Sequence, residues 1–139
     1  MANNINNKQY EEKLNAVKQY GFALGYVEEQ TPEICMEAVK QNGKAFYYVE
    51  DRTPELCLAA VKQDGRALLF VKTQTPEICM AAVNQNGLAL EYVKYQTPEI
   101  CLTAIKQDIN AAKYIKDPEM LKQTMFTLVK EEQAAEMGL

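Results

Sequence analysis

The sequence predicts an all-α protein, a small α-solenoid of about five two-helix repeats of 22 residues with helical caps at both ends. The first observation is a period: Thr-Pro-Glu begins at positions 31, 53, 75 and 97, and 53 − 31 = 22. The second is that each period contains a helix-start and a helix-end signal. The third is a helical spacing of apolar residues within the period. We treat residues 1–139 as one domain.

Residues 1–30 are predicted to form a degenerate N-terminal capping repeat. Gln9 and Tyr10 stand where later repeats carry Thr-Pro. Tyr10, Leu14 and Val17 nevertheless keep an apolar stripe at helical spacing. The segment YGFALGYVEEQ keeps the pattern of a second helix. Degenerate end repeats are typical of repeat arrays, because the outer face of the last unit meets water.

Residues 31–116 are predicted to hold the regular repeats, each of which begins with a helix. Thr31 is a good N-cap residue. Pro32 fits the first helical position, where its missing N–H has no partner in any case. Glu33 then lies near the positive end of the helix dipole. The same three residue types recur at every repeat, so a helix is expected to start at each.

Each first helix should end at the residue equivalent to Gln41, and a short second helix should follow. We expect Asn42 and Gly43 to adopt the left-handed conformation that closes many helices. The second helix is predicted from about Lys44 to Glu50. Helices shorter than about 12 to 15 residues are marginal in water, so their stability must come from stacking on neighbouring repeats.

Residues 117–139 are predicted to form a longer C-terminal capping helix. The register breaks before it, because Ile109 replaces the expected glycine and Pro118 precedes the expected position 98 + 22 = 120. An apolar stripe in this segment is expected to cover the end of the array. The stripe consists of Leu121, Met125, Leu128 and Val129.

Composition excludes several classes of function. The chain has no histidine, serine or tryptophan, which excludes Ser-His-Asp and Cys-His catalysis and imidazole acid–base chemistry. A net charge of −4 without a basic stripe argues against nucleic acid. No apolar run suits a membrane span. Four cysteines without a secretory signal favour free thiols and a cytoplasmic protein. No cofactor is expected.

Two segments carry a resemblance to a known family. They are AVKQNGKAFYYVEDRTPELCLAAV and AVNQNGLALEYVKYQTPEICLTAI. These segments resemble the repeats of the family called domain of unknown function 4116, over roughly residues 14 to 116. The resemblance implies a helical repeat protein found in multi-copy arrays. It supplies no activity and no catalytic residue.

Two polar columns repeat at the same step and have structural explanations. Equivalent positions in stacked helices lie about 8 to 10 Å apart, whereas one zinc ion needs four sulfurs at about 2.3 Å. The cysteine column is therefore predicted to be small apolar packing residues and not a metal site. The glutamate column is explained by the helix dipole and not by a carboxylate ladder. The columns are Cys35, Cys57, Cys79 and Cys101, and Glu33, Glu55, Glu77 and Glu99.

An aromatic column occupies the second helices. Such a column can stack on nucleic acid bases, as in repeats that read one nucleotide per unit. Its phase in an α-helix places it beside Ala45 and Val49, which favours core packing instead. The column consists of Tyr26, Tyr48, Phe70, Tyr92 and Tyr114.

One face of the second helices differs between repeats and mixes apolar, aromatic and charged residues. This composition is typical of a protein-binding surface, although unconstrained positions would vary in the same way. The candidate binding residues are Phe22, Lys44, Tyr47, Asp51, Arg66, Leu69, Leu88, Glu91 and Tyr95.

Three functions are compatible with this surface. The leading hypothesis is a non-enzymatic interaction module with a protein partner. The second is a protein that sequesters a small molecule or nucleotide, with a homo-oligomer possible. The third, an enzyme that uses carboxylates, tyrosines or a thiolate, has no convergent site in the sequence.

Overall fold

The computed structural model of the chain describes residues 2–138, and these form a small all-α solenoid of α-helices alternating with 3₁₀ helices. No strand occurs in this range. The α-helices are α1 (Ala2–Gln19), α2 (Pro32–Gln41), α3 (Pro54–Gln63), α4 (Pro76–Gln85), α5 (Pro98–Gln107) and α6 (Pro118–Glu136). The 3₁₀ helices are η1 (Gly21–Tyr26), η2 (Gly43–Tyr48), η3 (Gly65–Phe70), η4 (Gly87–Tyr92) and η5 (Ile109–Tyr114).

The predicted helix starts are confirmed. The Thr31 hydroxyl accepts a hydrogen bond from the Ile34 N–H at 3.2 Å, and Pro32 occupies the first position of α2. The threonines at the next three starts make the same cap. Glu33 also accepts from the Tyr10 hydroxyl at 2.7 Å, which ties the N-terminal cap to the first regular repeat.

The predicted left-handed helix end is wrong. Asn42 ends α2 in an extended conformation, with φ −153° and ψ 113°. Its side-chain oxygen accepts from the Lys44 N–H at 3.0 Å, so the same residue caps the start of η2. Within residues 2–138 the only residue with positive φ is Gly138. Each of the helices α1 to α5 is therefore followed by a 3₁₀ helix without a left-handed residue between them.

Close packing on the next repeat requires a glycine at the start of η1, η3 and η4. A Cβ atom on Gly21 would lie 2.5 Å from the Ala38 carbonyl oxygen. A Cβ atom on Gly87 would collide with the Ala104 carbonyl oxygen in the same way. Real Cβ atoms essentially never approach so closely, because backbone atoms are close-packed and cannot move aside. The absence of a side chain at these glycines allows the backbones of two neighbouring repeats to come into contact.

The second helix of each repeat exists as predicted, but it is a 3₁₀ helix over Gly43–Tyr48 and not an α-helix over residues 44 to 50. Side chains three residues apart line up in a 3₁₀ helix. Asp51 therefore leaves the row of Lys44 and lies in the following loop. The buried row around η2 is Gly43, Phe46 and Val49, and the exposed row is Lys44, Tyr47 and Glu50.

The core is a continuous column that runs through the array. Each α-helix packs on the next α-helix, and each 3₁₀ helix packs on the next 3₁₀ helix and on the adjoining α-helices. In α2 the buried side chains are Ile34, Cys35, Ala38 and Val39, and the equivalent positions of α3, α4 and α5 are buried too. Contacts between adjacent repeats thus replace the single central core of a globular domain.

A glutamine before the threonine cap ties neighbouring repeats together. Gln30 Nε2 donates to the Tyr48 carbonyl at 2.8 Å, and Gln30 Oε1 accepts from the Glu50 N–H at 3.0 Å. Gln74 and Gln96 make the same two bonds, at the same distances, to the corresponding backbone groups of the next repeat. We call this pair of bonds the glutamine clamp.

The C-terminal helix α6 covers the last repeat. Asp117 caps its start by accepting from the Glu119 N–H at 3.0 Å. Lys106 of α5 and Glu131 of α6 form an ion pair. In the predicted stripe Leu121, Met125 and Leu128 are partly buried against the core, and Val129 is exposed. None of the helices within residues 2–138 combines the length and the apolar character that a bilayer crossing needs.

Candidate functional site

The structure places eight of the nine candidate binding residues at the surface. Leu88 differs from the others, because it is partly buried and packs against the core. The apolar and aromatic members that are exposed are Phe22 at 47%, Tyr47 at 62%, Leu69 at 57% and Tyr95 at 84%. The charged members that are exposed are Lys44, Asp51, Arg66 and Glu91.

Four of these residues line one groove between η2 and η3. The groove has a volume of about 300 Å³. Lys44 and Tyr47 line its η2 side, and Arg66 and Leu69 line its η3 side. The remaining lining residues are Gly43, Phe46, Asp64, Ala67, Phe70 and Tyr92. The groove therefore combines an apolar, aromatic wall with two cationic side chains at its rim.

The other five candidate residues do not line this groove. Asp51 and Tyr95 follow the ends of η2 and η4, because the 3₁₀ geometry shifts them out of the predicted row. Leu88 and Glu91 belong to η4, whose only contribution to the groove is Tyr92. Phe22 lies in η1 and contacts the Tyr48 ring instead of the groove. The predicted binding face thus consists of a central groove, four exposed residues outside it and the partly buried Leu88.

Aromatic rings form a continuous edge-to-face chain beside the groove. Phe22 and Tyr48 lie with their ring centroids 6.1 Å apart, and Tyr48 and Tyr47 lie 5.4 Å apart. Tyr47 then meets Phe70 at 5.6 Å. Each pair has the T-shaped geometry that aromatic rings prefer. We call these four residues the aromatic chain.

The prediction that the aromatic column packs in the core is wrong for three of its members. Tyr26, Tyr48 and Phe70 are 91%, 41% and 36% exposed. An α-helical phase places these rings on the buried face beside Val49 and its equivalents. In the 3₁₀ helix Tyr48 instead lies in a third row with Ala45, where the small alanine is fully buried and the large ring extends into solvent. Tyr48 and Phe70 are therefore surface residues that the sequence prediction missed. No signal in the sequence could have found them, because six residues are too few to distinguish a three-residue period from the period of an α-helix.

The groove rim is positively charged in part. The Asp64 side chain is engaged in capping η3, since its Oδ1 accepts from the Arg66 N–H at 3.0 Å. This hydrogen bond holds the Asp64 carboxylate at the start of η3. The Lys44 ammonium and the Arg66 guanidinium form no ion pair with another described residue. Both cations are available to a carboxylate of a ligand.

The cysteine column is buried and separate from the groove. All four side chains are free thiols, and desolvation by burial raises the pKa of each of them. The pKa of Cys101 rises to about 11. Cys35 Sγ donates to Gln30 Oε1 at 3.4 Å. No group of three or more potential metal-binding side chains converges within residues 2–138. The thiolate form, which attacks substrates and binds metals, is disfavoured at these positions.

We expect the four thiols to be unreactive in the folded protein at neutral pH. Each is buried, and only the thiolate reacts with disulfide reagents. An aromatic disulfide that releases a coloured thiolate on reaction should modify almost no cysteine in the native protein. The same reagent should modify all four cysteines after denaturation in guanidinium. Rapid native labelling of a single cysteine would contradict the packing role and would favour a thiolate function.

The comparison with protein families gives one match. The model of the family described as "Domain of unknown function (DUF4116)" matches four overlapping segments, residues 13–53, 31–74, 53–97 and 75–122. The last three segments begin at the threonine caps of α2, α3 and α4. No curated protein and no solved structure matches the chain.

Proposed function

The chain belongs to the DUF4116 repeat family, and on that premise we propose that it is a non-enzymatic interaction module that binds another protein. The binding surface is the exposed face of the 3₁₀ helices. Its centre is the groove between η2 and η3, flanked by the aromatic chain. A partner side chain that is apolar and flanked by carboxylates would suit the groove wall and its cationic rim.

The observation that supports this proposal is the aromatic chain at the surface. Four aromatic rings lie in mutual contact, although exposure leaves part of their apolar area in water. Contiguous exposed apolar groups on a protein mark interaction sites. Tyrosine and arginine are also the residue types that contribute most to binding energy at interfaces, and both line the groove.

Charge substitution in the groove should weaken partner binding. We expect the double variant Tyr47→Glu, Leu69→Glu to bind a captured partner at least about thirtyfold more weakly, which corresponds to the loss of one hot-spot residue of about 2 kcal/mol. Partners would be captured from an extract of the native cell and identified by mass spectrometry. Affinity would then be measured with the purified partner by biolayer interferometry.

The matched control is the double variant Lys40→Glu, Lys62→Glu. Both lysines are exposed on α2 and α3, and neither lines the groove. The control carries an even larger charge change and should retain the partner. Equal affinity of both double variants for every partner would reject the groove as the binding surface. Circular dichroism would verify that all variants fold.

A second candidate function is sequestration of a small molecule or nucleotide, with an oligomer possible. The groove volume of about 300 Å³ lies at the lower end of the range of ligand pockets, about 300 to 1,000 Å³. Its aromatic wall would suit a planar ring. Thermal-shift screening against nucleotides and metabolites separates the two functions, because a strong shift from one compound favours sequestration.

We further propose a cytosolic location. The four buried cysteines are free thiols, which supports a reducing compartment. Fractionation of the native cell, with detection by antibody, would test this location.

A further inference from the structure

One position of the glutamine clamp is occupied by arginine. The clamp residues Gln30, Gln74 and Gln96 recur in steps of 22 residues, and Arg52 stands at the missing step, 30 + 22 = 52. A glutamine side chain offers both a donor and an acceptor, whereas the guanidinium offers donors only. The exchange therefore removes one acceptor oxygen from the joint between two repeats.

The arginine satisfies only the carbonyl half of the clamp. Arg52 Nη1 donates to the Phe70 carbonyl at 3.0 Å, as the glutamine Nε2 does elsewhere, and Nη2 donates to the Tyr47 carbonyl at 3.1 Å. The Lys72 N–H corresponds to the backbone donors that bind glutamine Oε1 in the other repeats. Among residues 2–138 it has no hydrogen-bond acceptor. A backbone donor without a partner costs free energy unless water or a ligand fills the place.

The partner of the nearby cysteine differs between the repeats. Cys35 and Cys79 donate their thiol protons to the clamp glutamine oxygens at 3.4 Å. Cys57, at the equivalent position beside Arg52, turns instead to the Arg52 carbonyl at 3.7 Å. Cys101, beside the intact clamp of Gln96, also has another acceptor, Met120 Sδ at 3.5 Å. The Lys72 N–H is therefore the donor that lacks the glutamine oxygen at this joint.

A groove opens where that oxygen is missing. Its volume is about 460 Å³, and its charged lining consists of Arg52, Lys72 and Glu50. Thr73 adds a hydroxyl group to the wall. Two cations against one carboxylate give this place a positive balance, which favours an anionic ligand.

The guanidinium is held rigidly in this groove. Its central carbon lies 5.0 Å from the centroid of the Phe46 ring and 5.6 Å from that of the Phe70 ring, both within cation–π range. Arg52 Nε is enclosed by protein and has no acceptor among the described residues. It therefore supplies fixed charge, while the Lys72 N–H, the Lys72 ammonium and the Thr73 hydroxyl supply the donors.

We propose that Arg52, Lys72 and Thr73 form a binding site for an anionic oxygen group, a carboxylate or a phosphate. One oxygen of the ligand takes the place of the absent glutamine oxygen and accepts from the Lys72 N–H. The fixed guanidinium charge and the Lys72 ammonium balance the charge of the ligand. This site is distinct from the groove between η2 and η3 and does not depend on the proposed protein partner.

The proposal predicts a local response in nuclear magnetic resonance spectra of the ¹⁵N-labelled chain. Sodium phosphate and sodium acetate, each titrated against sodium chloride of equal ionic strength, should shift the Lys72 amide signal in a saturable manner. The Lys94 and Lys116 amides should keep their positions in the spectrum, because each already donates to a clamp glutamine and neither residue lines the groove. A tetraglutamate peptide is the third probe, beside phosphate and acetate.

The arms identify the source of the anion. A tighter response to tetraglutamate than to acetate assigns the site to an acidic segment of a protein, and a tighter response to phosphate assigns it to a phosphate group. Both results support the site. A Lys72 amide that responds to none of the three probes would overturn the proposal.

Two variants serve as matched controls. Arg52→Gln restores the glutamine clamp, so the Lys72 amide should become protected from solvent exchange. The affinity of the variant protein for the anion should fall by about tenfold or more. Gln74→Arg should open a second site, in which the Lys94 amide becomes responsive. An Arg52→Gln protein whose Lys72 amide still responds as in the native chain would also overturn the proposal.

Discussion

Replacement of Phe46 by alanine is expected to lower the free energy of unfolding by about 4 kcal/mol, within the range for buried phenylalanines. Phe46 is 1% exposed and is the largest fully buried side chain of the described residues. Its ring also lies beneath the Arg52 guanidinium. Alanine would leave a cavity between η2 and its neighbours and would remove that cation–π contact. Urea denaturation followed by circular dichroism measures the loss.

The chain itself offers the control for this substitution. Leu24, Leu68 and Leu90 occupy the positions equivalent to Phe46 in other repeats, and each is fully buried. Phe46→Leu should therefore cost less than about 1.5 kcal/mol, as volume-conserving changes in a core do. If leucine were as damaging as alanine, packing volume could not be the reason for the effect.

Replacement of Gly87 by alanine is expected to cost about 3 kcal/mol of stability, as a change that overpacks a core. The new Cβ atom would collide with the Ala104 carbonyl oxygen and lie 3.1 Å from the Asp108 nitrogen. These two atoms form the last hydrogen bond of α5, at 2.9 Å. Relief of the collision therefore requires η4 and α5 to separate. The midpoint of urea denaturation should fall accordingly.

Gly25→Ala is the matched control, because Gly25 also lies in a 3₁₀ helix. A Cβ atom there would meet only the Tyr48 ring, at 3.1 Å. That ring is 41% exposed and has room to turn. The cost should stay within about 0.5 kcal/mol, as for most surface substitutions. Comparable losses at both glycines would show that lost backbone freedom, and not the contact with α5, is responsible.

The features of the fold that depend on local chemistry could be predicted from the sequence. Thr31 and Pro32 determine where α2 begins through a hydrogen bond and a fixed backbone angle. Because the sequence repeats every 22 residues, the same residues mark the start of the α-helix in each later repeat. Stacking of neighbouring repeats followed because such short helices are not stable alone.

The type of the second helix could not be predicted, because packing decides it. An α-helix and a 3₁₀ helix differ by one residue in the hydrogen-bond step, and six residues are too few to show a period. The close approach of Gly87 to α5 leaves no room for a side chain at the start of η4. The assumed α-helical phase also affects the predicted site. It puts Tyr48 and Phe70 in the core, and it puts Asp51 and Tyr95 in the same exposed row as the candidate residues of η2 and η4.

The groove was partly predictable, and the joint at Arg52 was not. Lys44 and Tyr47 lie three residues apart, a spacing that shares a face in either helix type. Arg52 is visible in the sequence as a departure from the glutamine column. The effect of this exchange is visible only in the structure, which shows the hydrogen bonds of the clamp. Nothing in the sequence shows that a glutamine side chain binds backbone groups 18 and 20 residues later.

The packing of each repeat on its immediate neighbours alone has a consequence for how such chains evolve. A duplication of one unit inserts a segment whose two ends already match the surfaces they must join. A gene that gains or loses a unit by unequal recombination therefore still encodes a folded chain. Each inherited change in length also adds or removes one stretch of surface, so that the number of copies becomes a variable on which selection can act.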